Sequence, residues 1–243
     1  MKGKTAVVTG GAQGIGFAIC EMLVERGAKV AVLDISQPQI QKACDALRAK
    51  GGQVAGIPVD LRAGPHCHRA FEEAVRALGP VHILGNVAGV YVRKPILEIT
   101  DDEWNEMLGV NVRGLYHMTV AAFKHMKESG GGKIVNIASI DAWKAHPKNA
   151  HYAASKAAVV SLTRSFALEG APHKIYVNTI SPGPVATEKA KAAGWLPEEA
   201  AKVPLGRAAE PRDIADAFCY LASDASNYVV GENLFVNGGY IIL

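Results

Sequence analysis

Thr5-Ala6-Val7-Val8-Thr9-Gly10-Gly11-Ala12-Gln13-Gly14-Ile15-Gly16 is the stretch on which the reading of this 243-residue chain turns. Its first five residues form a short apolar, β-branched run, the composition of a strand covered on both faces. The run breaks into glycines, and a helical pattern starts near Ile15. Glycines serve such a loop where the backbone must turn tightly, approach a pyrophosphate closely, and let the helix pack on the strand. The helix N-terminus then offers amide donors and a partial positive charge. The spacing is G-x-x-x-G-x-G, not G-x-G-x-x-G, so the loop alone is equally readable as a turn that is Gly-rich only in order to turn.

The surroundings favour the phosphate loop. Further strands are expected at Lys29 to Asp34, Val54 to Val59, Val81 to Asn86, Lys133 to Ala138, Ile175 to Ile180 and Asn233 to Val236. Amphipathic, Ala-rich stretches separate them, with helices starting near Ile15, Pro38, Gly64, Asp101, His151 and Pro211. Strands alternating with crossover helices predict a parallel sheet with helices on both faces, a single-domain, doubly wound α/β fold of Rossmann type over residues 1–243. Ligands of such sheets bind beyond the carboxyl ends of the strands, so the chemistry is sought just after each strand.

The second strand ends in Asp34, eighteen positions past Gly16. A carboxylate there can accept hydrogen bonds from ribose hydroxyls and repels a 2′-phosphate. Ile35 follows where a base would welcome that phosphate, and Gln13 occupies the turn, so NAD is expected over NADP. The plainer reading is that Asp34 ends a strand before Ser36 and Pro38.

After the fifth strand come Ser139 and then His151-Tyr152-Ala153-Ala154-Ser155-Lys156 at the start of a helix. Residues four apart share a helical face, so Tyr152 and Lys156 project together. A phenol titrating near 10 is a poor base at neutral pH; making it a useful one takes about 3 to 4 kcal/mol of stabilisation of the phenolate. An ammonium about 4 Å away supplies up to about 4 kcal/mol at an effective dielectric of 20, and a helix N-terminus only about 0.3 to 1. Alone, Tyr-x-x-x-Lys also fits an exposed tyrosine lying over a lysine stem.

With these motifs in this order, the chain resembles the short-chain dehydrogenase/reductase family along essentially its whole length, from the Thr-Gly-x-x-x-Gly-x-Gly loop to Val236-Asn237-Gly238-Gly239. The resemblance implies an NAD-dependent enzyme interconverting a secondary alcohol and a ketone. Ser139 would polarise the substrate oxygen and Tyr152 would give or take its proton. Lys156 would hold the nicotinamide ribose and lower the Tyr152 pKa, and Asn111 would organise a relay water. Cofactor contacts are implied for Gly10, Gln13, Gly14, Ile15, Gly16, Asp34, Ile35, Asp60, Leu61, Asn86, Ala88, Gly89, Tyr152 and Lys156. The loop carrying Pro182, Gly183, Val185 and Thr187 would touch the nicotinamide. Val87 departs from the family's Asn-Asn-Ala-Gly and leaves some hydrogen bonding behind the adenosine pocket in question. A homotetramer is also implied, and a lid over 188–204.

The substrate side is less defined. Tyr91, Arg93, Asp141, Lys144, His146 and Trp195 lie in the segments that would border it. One or two of the cations there would receive an anionic group of a hydroxy acid or sugar acid; polyols are further candidates, and solvated loop charge is the plainer reading. His66-Cys67-His68 lacks a distant pair of ligands and is read as structural, with no metal expected. His151 is expected to start its helix without acting as a base, and Leu205-Gly206-Arg207 to be a connector. Two alternatives remain: a 3-oxoacyl-thioester or carrier reductase, and a non-catalytic cofactor-sensing protein.

Composition narrows the rest. A hydrophobic share of 49% is ample for a core, and a net charge of +3 without a basic run argues against nucleic acid. No apolar run reaches bilayer length. Four unpaired cysteines and no signal-like start at Met1-Lys2-Gly3-Lys4 make the cytoplasm the expected compartment. The apolar end Tyr240-Ile241-Ile242-Leu243 suggests burial against another subunit.

Overall fold

The computed structural model describes residues 1–242. Strands β1 (Thr5–Thr9), β2 (Lys29–Asp34), β3 (Val54–Pro58), β4 (Ile83–Asn86), β5 (Gly132–Ile137), β6 (Ile175–Pro182) and β7 (Asn233–Val236) form one sheet in the order β3-β2-β1-β4-β5-β6-β7. Every pairing is parallel. This is a single-domain, Rossmann-type α/β fold, as the alternating pattern predicts.

All five residues of β1 are buried, and their alternation divides the core in two. Ala6 and Val8 pack with helices α1 (Gly14–Glu25), α2 (Gln37–Ala49) and α9 (Pro211–Leu221) on one face. Val7 packs with α3 (Gly64–Leu78) and α5 (Leu115–Glu128) on the other. The period-two side-chain alternation of a strand thus feeds both layers from one run of sequence. Because β1 pairs with β2 on one side and β4 on the other, the chain reverses its winding at β1, and the crevice beyond Thr9 and Asn86 opens there.

The helix expected from Asp101 is α4 (Asp101–Leu108), started by a reciprocal cap: Glu103 N donates to the Thr100 hydroxyl, and Thr100 N donates to the Glu103 carboxylate. It does not stop at residue 108. Gly109–Gly114 continue as a π-helical segment directly into α5. Gly114 permits this, since a Cβ there would stand 2.6 Å from the Leu61 Cβ.

Some boundaries differ from expectation. β4 starts at Ile83 because the amide of Val81 donates to the His125 ring instead of a ladder partner. β6 continues to Pro182 because β7 extends the pairing to Pro182 and Val236. Residues 188–204 hold two short helices, α7 (Glu188–Ala192) and α8 (Leu196–Ala201), over a small apolar cluster of Ala190, Leu196 and Ala208. Among the described residues no helix is long and apolar enough to cross a membrane. Tyr240 turns back onto the chain while Ile242 is exposed; Leu243 lies outside the described residues.

Candidate active site

Two connected clefts open at the carboxyl ends of the strands. The first, about 760 Å³, runs from Asp34 and Ile35 past the glycine loop to Val90 and Thr187. The second, about 510 Å³, holds Ser139, Tyr152 and Lys156. They share Ile15, Val87, Gly89, Val90, Thr187 and Lys189, so a ligand filling the first reaches into the second.

The glycine loop is built for close approach. Gly10 has φ +63°, and a Cβ on it would stand 2.8 Å from the Ala88 Cα. A Cβ on Gly16 would overlap the Gly10 carbonyl oxygen, which is why helix α1 can pack so near the loop. Thr9 completes the junction, its hydroxyl accepting from the amides of Val87 and Ala88. Val87 therefore sits on the cleft wall held through its backbone, which needs no side-chain amide. Gln13 provides α1 with no side-chain cap, leaving first-turn amides as donors facing the cleft. At the far end, the Asp34 carboxylate accepts from Ile35 N at 2.8 Å and more distantly from Ala12 N at 3.4 Å. Asp60 is gripped by Arg62 through contacts of 2.9 and 2.7 Å, and that hydrogen bonding holds its carboxyl below the usual range. A dinucleotide fits this lining: amides for a pyrophosphate, acceptors for ribose hydroxyls, and a floor without side chains.

Helix α6 (Ala150–Gly170) carries Tyr152 and Lys156 on one face. Lys156 is buried and its Nζ donates to the Ile137 carbonyl at 2.8 Å, which fixes the ammonium beneath the cleft floor at the end of β5. Burial holds the Lys156 ammonium down at about 8. Burial also pushes the Tyr152 phenol well above its ordinary value; the Asp141 carboxylate adds to this and the Ser139 hydroxyl opposes it. The expected lowering of Tyr152 by Lys156 is thus not the direction found for the protein by itself. The ammonium is 5.7 Å from the phenol ring centroid and already bonded to a carbonyl, and desolvation of the phenolate is the largest influence on the phenol.

Asn111 lies in the π segment, whose irregular turn aims its amide at the cleft wall. It exchanges hydrogen bonds with both backbone groups of Val90, at 2.8 and 3.0 Å, and donates to Ser155 Oγ at 3.0 Å. Its side chain clamps the wall between the two clefts.

Most expected residues come together. Gly10, Gln13, Gly14, Ile15, Gly16, Asp34, Ile35, Asp60, Leu61, Ala88, Gly89 and Thr187 line the first cleft. Tyr91, Arg93, Ser139, Asp141, His146, Tyr152, Lys156, Pro182, Gly183, Val185 and Trp195 line the second. Two do not. Asn86 is buried behind the wall, donating to Asn136 Oδ1 at 2.8 Å and Thr119 Oγ1 at 3.0 Å; β4 turns it inward because alternate strand residues face opposite sides. Lys144 lies over the Tyr240 ring, 4.6 Å from its centroid, outside the pocket wall. His151 starts its helix as expected but is buried and stacked on Trp104. His68 meets His117 edge-on while Cys67 is buried, and Arg207 pairs with Asp213 at 2.6 Å, consistent with a structural connector.

Sequence reasoning passed over Gln39, Lys42 and Arg62 at the adenosine end and Asn149 and Glu199 at the other. Glu199 had no local signal: it sits on a two-turn helix whose placement depends on Tyr240, forty-one positions away, donating to it at 2.6 Å.

A crevice at a sheet's winding reversal, with a glycine loop at one end and Tyr152, Lys156 and Ser139 at the other, defines a nucleotide-dependent oxidoreductase class. The family model described as enoyl-(acyl carrier protein) reductase matches residues 10–241, and the chain belongs to the short-chain dehydrogenase/reductase family. It is 34% identical to 5-keto-D-gluconate 5-reductase of Escherichia coli (strain K12), over 100% of this chain and 97% of that one. It is 36% identical to the NAD-dependent glycerol dehydrogenase of Listeria innocua, over 98% and 94%. A 3-oxoacyl-acyl-carrier-protein reductase of Vibrio cholerae is 34% identical, over 100% and 99%. Among solved structures, a Serratia marcescens short-chain dehydrogenase/reductase superposes with TM-score 0.94 at 34% identity, covering 98% of both chains. NAD+-bound xylitol dehydrogenase superposes with TM-score 0.94 at 29% identity, covering 98% of this chain and 99% of that one. The protein is an enzyme acting on CH–OH groups.

Proposed function

We propose that the protein is an NAD-dependent oxidoreductase interconverting a secondary alcohol and its ketone. The carrying observation is that Tyr152 and Ser139 line the second cleft where it joins the first, with Lys156 beneath them. A nicotinamide dinucleotide bound in the first cleft supplies the hydride acceptor for oxidation and the donor for reduction. Ser139 donates a hydrogen bond to the substrate oxygen. In oxidation Tyr152, as phenolate, takes the hydroxyl proton as the carbon loses hydride; in reduction it returns that proton to the alkoxide oxygen. Lys156 has a donor fixed on Ile137 and further N–H groups free to meet a ribose and the phenolate. Asp34, with one oxygen held by its own turn, supports NAD by presenting a carboxylate where a 2′-phosphate would stand.

Replacing Tyr152 with Phe removes the proton carrier and little volume. Turnover is expected to fall about 10²-fold or more while NADH binding, read by fluorescence, stays within about threefold. Turnover within that same margin would contradict the mechanism.

A second reading, 3-oxoacyl-thioester reduction with NADP, is favoured by Lys42 and Arg62 on the adenosine end of the first cleft. Against it, Arg62 is already committed to Asp60. Higher kcat/KM with NADP than with NAD would select it.

A further inference from the structure

The second cleft has an inner and an outer charge. Arg93 and Lys189 line it as exposed side chains at the rim. Deeper in stand two carboxylates, Asp141 and Glu199, with side chains only 10% and 11% exposed. Glu199 is engaged: it accepts from the Tyr240 hydroxyl at 2.6 Å and from Lys202 at 3.1 Å. Asp141 is not. Its Oδ2 accepts from Asn149 at 2.9 Å, and its Oδ1 lies 3.4 Å from His146 Nε2 at ion-pair distance without hydrogen-bond geometry. A carboxylate offers about four lone-pair positions, so Asp141 has acceptor capacity unmet on a pocket wall.

It also lines the same cleft as the reacting group. Asp141 stands two residues after Ser139, whose hydroxyl accepts its amide at 3.1 Å, and its charge is felt by Tyr152. A substrate whose oxygen sits between Ser139 and Tyr152 shares that cleft with the Asp141 side chain.

We infer that the pocket selects a neutral polyhydroxylated substrate, with Asp141 accepting a hydrogen bond from a hydroxyl near the reacting carbon and disfavouring a carboxylate there. The inference rests on the alcohol–ketone reading above and narrows it. It reverses the expectation from sequence that loop cations receive an anion: Lys144 is turned away, His146 faces Asp141, and Arg93 and Lys189 sit at the solvated rim where charge acts weakly. An incoming hydroxyl replaces hydration that Asp141 lost on burial; an incoming carboxylate meets like charge in a site of low polarity. Burial does hold the Asp141 carboxyl above its ordinary value, opposed by His146, the condition in which an added donor stabilises the ion most.

Sorbitol and D-gluconate have the same carbon chain and differ at C1, an alcohol in one and a carboxylate in the other. The test compares kcat/KM for both with NAD in the wild type and in Asp141→Asn, an isosteric change that keeps the Asn149 contact geometry. Sorbitol is expected to be favoured by about tenfold or more in the wild type, and that ratio to fall about tenfold in the variant. Preference for gluconate, or a ratio unchanged in Asp141→Asn, overturns the inference. Quenching of intrinsic tryptophan fluorescence, to which Trp195 in the same pocket contributes, measures binding of the two compounds without turnover. Selective sorbitol binding lost in the variant, with no oxidation or reduction of any alcohol or ketone, would sink the proposed reaction and leave the selectivity standing. Equal binding of both compounds overturns the selectivity whatever the turnover.

Discussion

Tyr152 shows how one residue's environment sets the direction of its pH response. Burial favours its neutral form, with the nearby Asp141 charge acting the same way. At neutral pH the phenol is therefore protonated, the form that donates to a ketone oxygen, whereas oxidation needs the small phenolate fraction. It follows that kcat/KM for oxidation rises with pH, about tenfold per unit while the phenol remains mostly protonated. Reduction should stay flat through neutrality and fall only when the phenol ionises. Oxidation rates independent of pH between about 6 and about 9 would show that another group carries the proton. Legibility at this scale was high where chemistry demands a particular side chain. Tyr152, Lys156, Asp34 and the glycines are recognisable from type and spacing, whereas Ser139 is singled out only by the family resemblance. Asn86 was misplaced because its neighbours Ala88 and Gly89 do line the cleft, and a motif does not show which way alternate residues face.

The elements differ in how far local sequence explains them. Helix α4 begins where Thr100 and Glu103 cap each other, an interaction complete within four residues and therefore readable locally. The Glu103 carboxylate is also joined by Lys94 at 2.7 Å, and that bond holds its carboxyl down at about 2. Thr100→Ala removes the cap acceptor and is expected to lower stability by about 1 kcal/mol. Urea unfolding checks this, with no change expected in the Michaelis constant. The π segment that follows has no such local origin. Gly109 and Gly114 allow it, but the extra residue is held in the turn because Asn111 finds Val90 and Ser155, and Leu61 packs on Gly114. Asn111→Ala leaves both Val90 backbone groups without that partner. Activity should fall about tenfold or more through loss of cleft geometry, while far-ultraviolet circular dichroism remains near wild type.

Across the whole molecule, one layer of helices supports the crevice from behind. Phe218 on α9 is fully buried, and its ring stands 2.9 Å from the position a Cβ on Gly85 would take. A glycine in the middle of β4 thus admits an aromatic ring against the strand that ends at the cleft. Phe218→Ala would leave a cavity in the larger apolar cluster and cost about 3 to 5 kcal/mol. A fall in denaturation midpoint at unchanged m-value is the expected result; a loss below about 1 kcal/mol would mean that the site collapses around the smaller side chain.

By itself the sequence determined the alternation of strands and helices, the parallel sheet, the glycine loop, and the Tyr152–Lys156 pair on one helical face. Each of these follows from interactions spanning a few residues: side-chain period, turn conformation, and four-residue helical spacing. Tertiary structure alone decided the rest. It brought Asp141 of the loop after β5 and Glu199 of α8 into one pocket with Tyr152, turned Lys144 onto Tyr240, and made desolvation the largest influence on the Tyr152 phenol. These outcomes depend on which distant groups exclude water from one another, and a linear pattern of residue types carries no measure of that distance or of the dielectric between them.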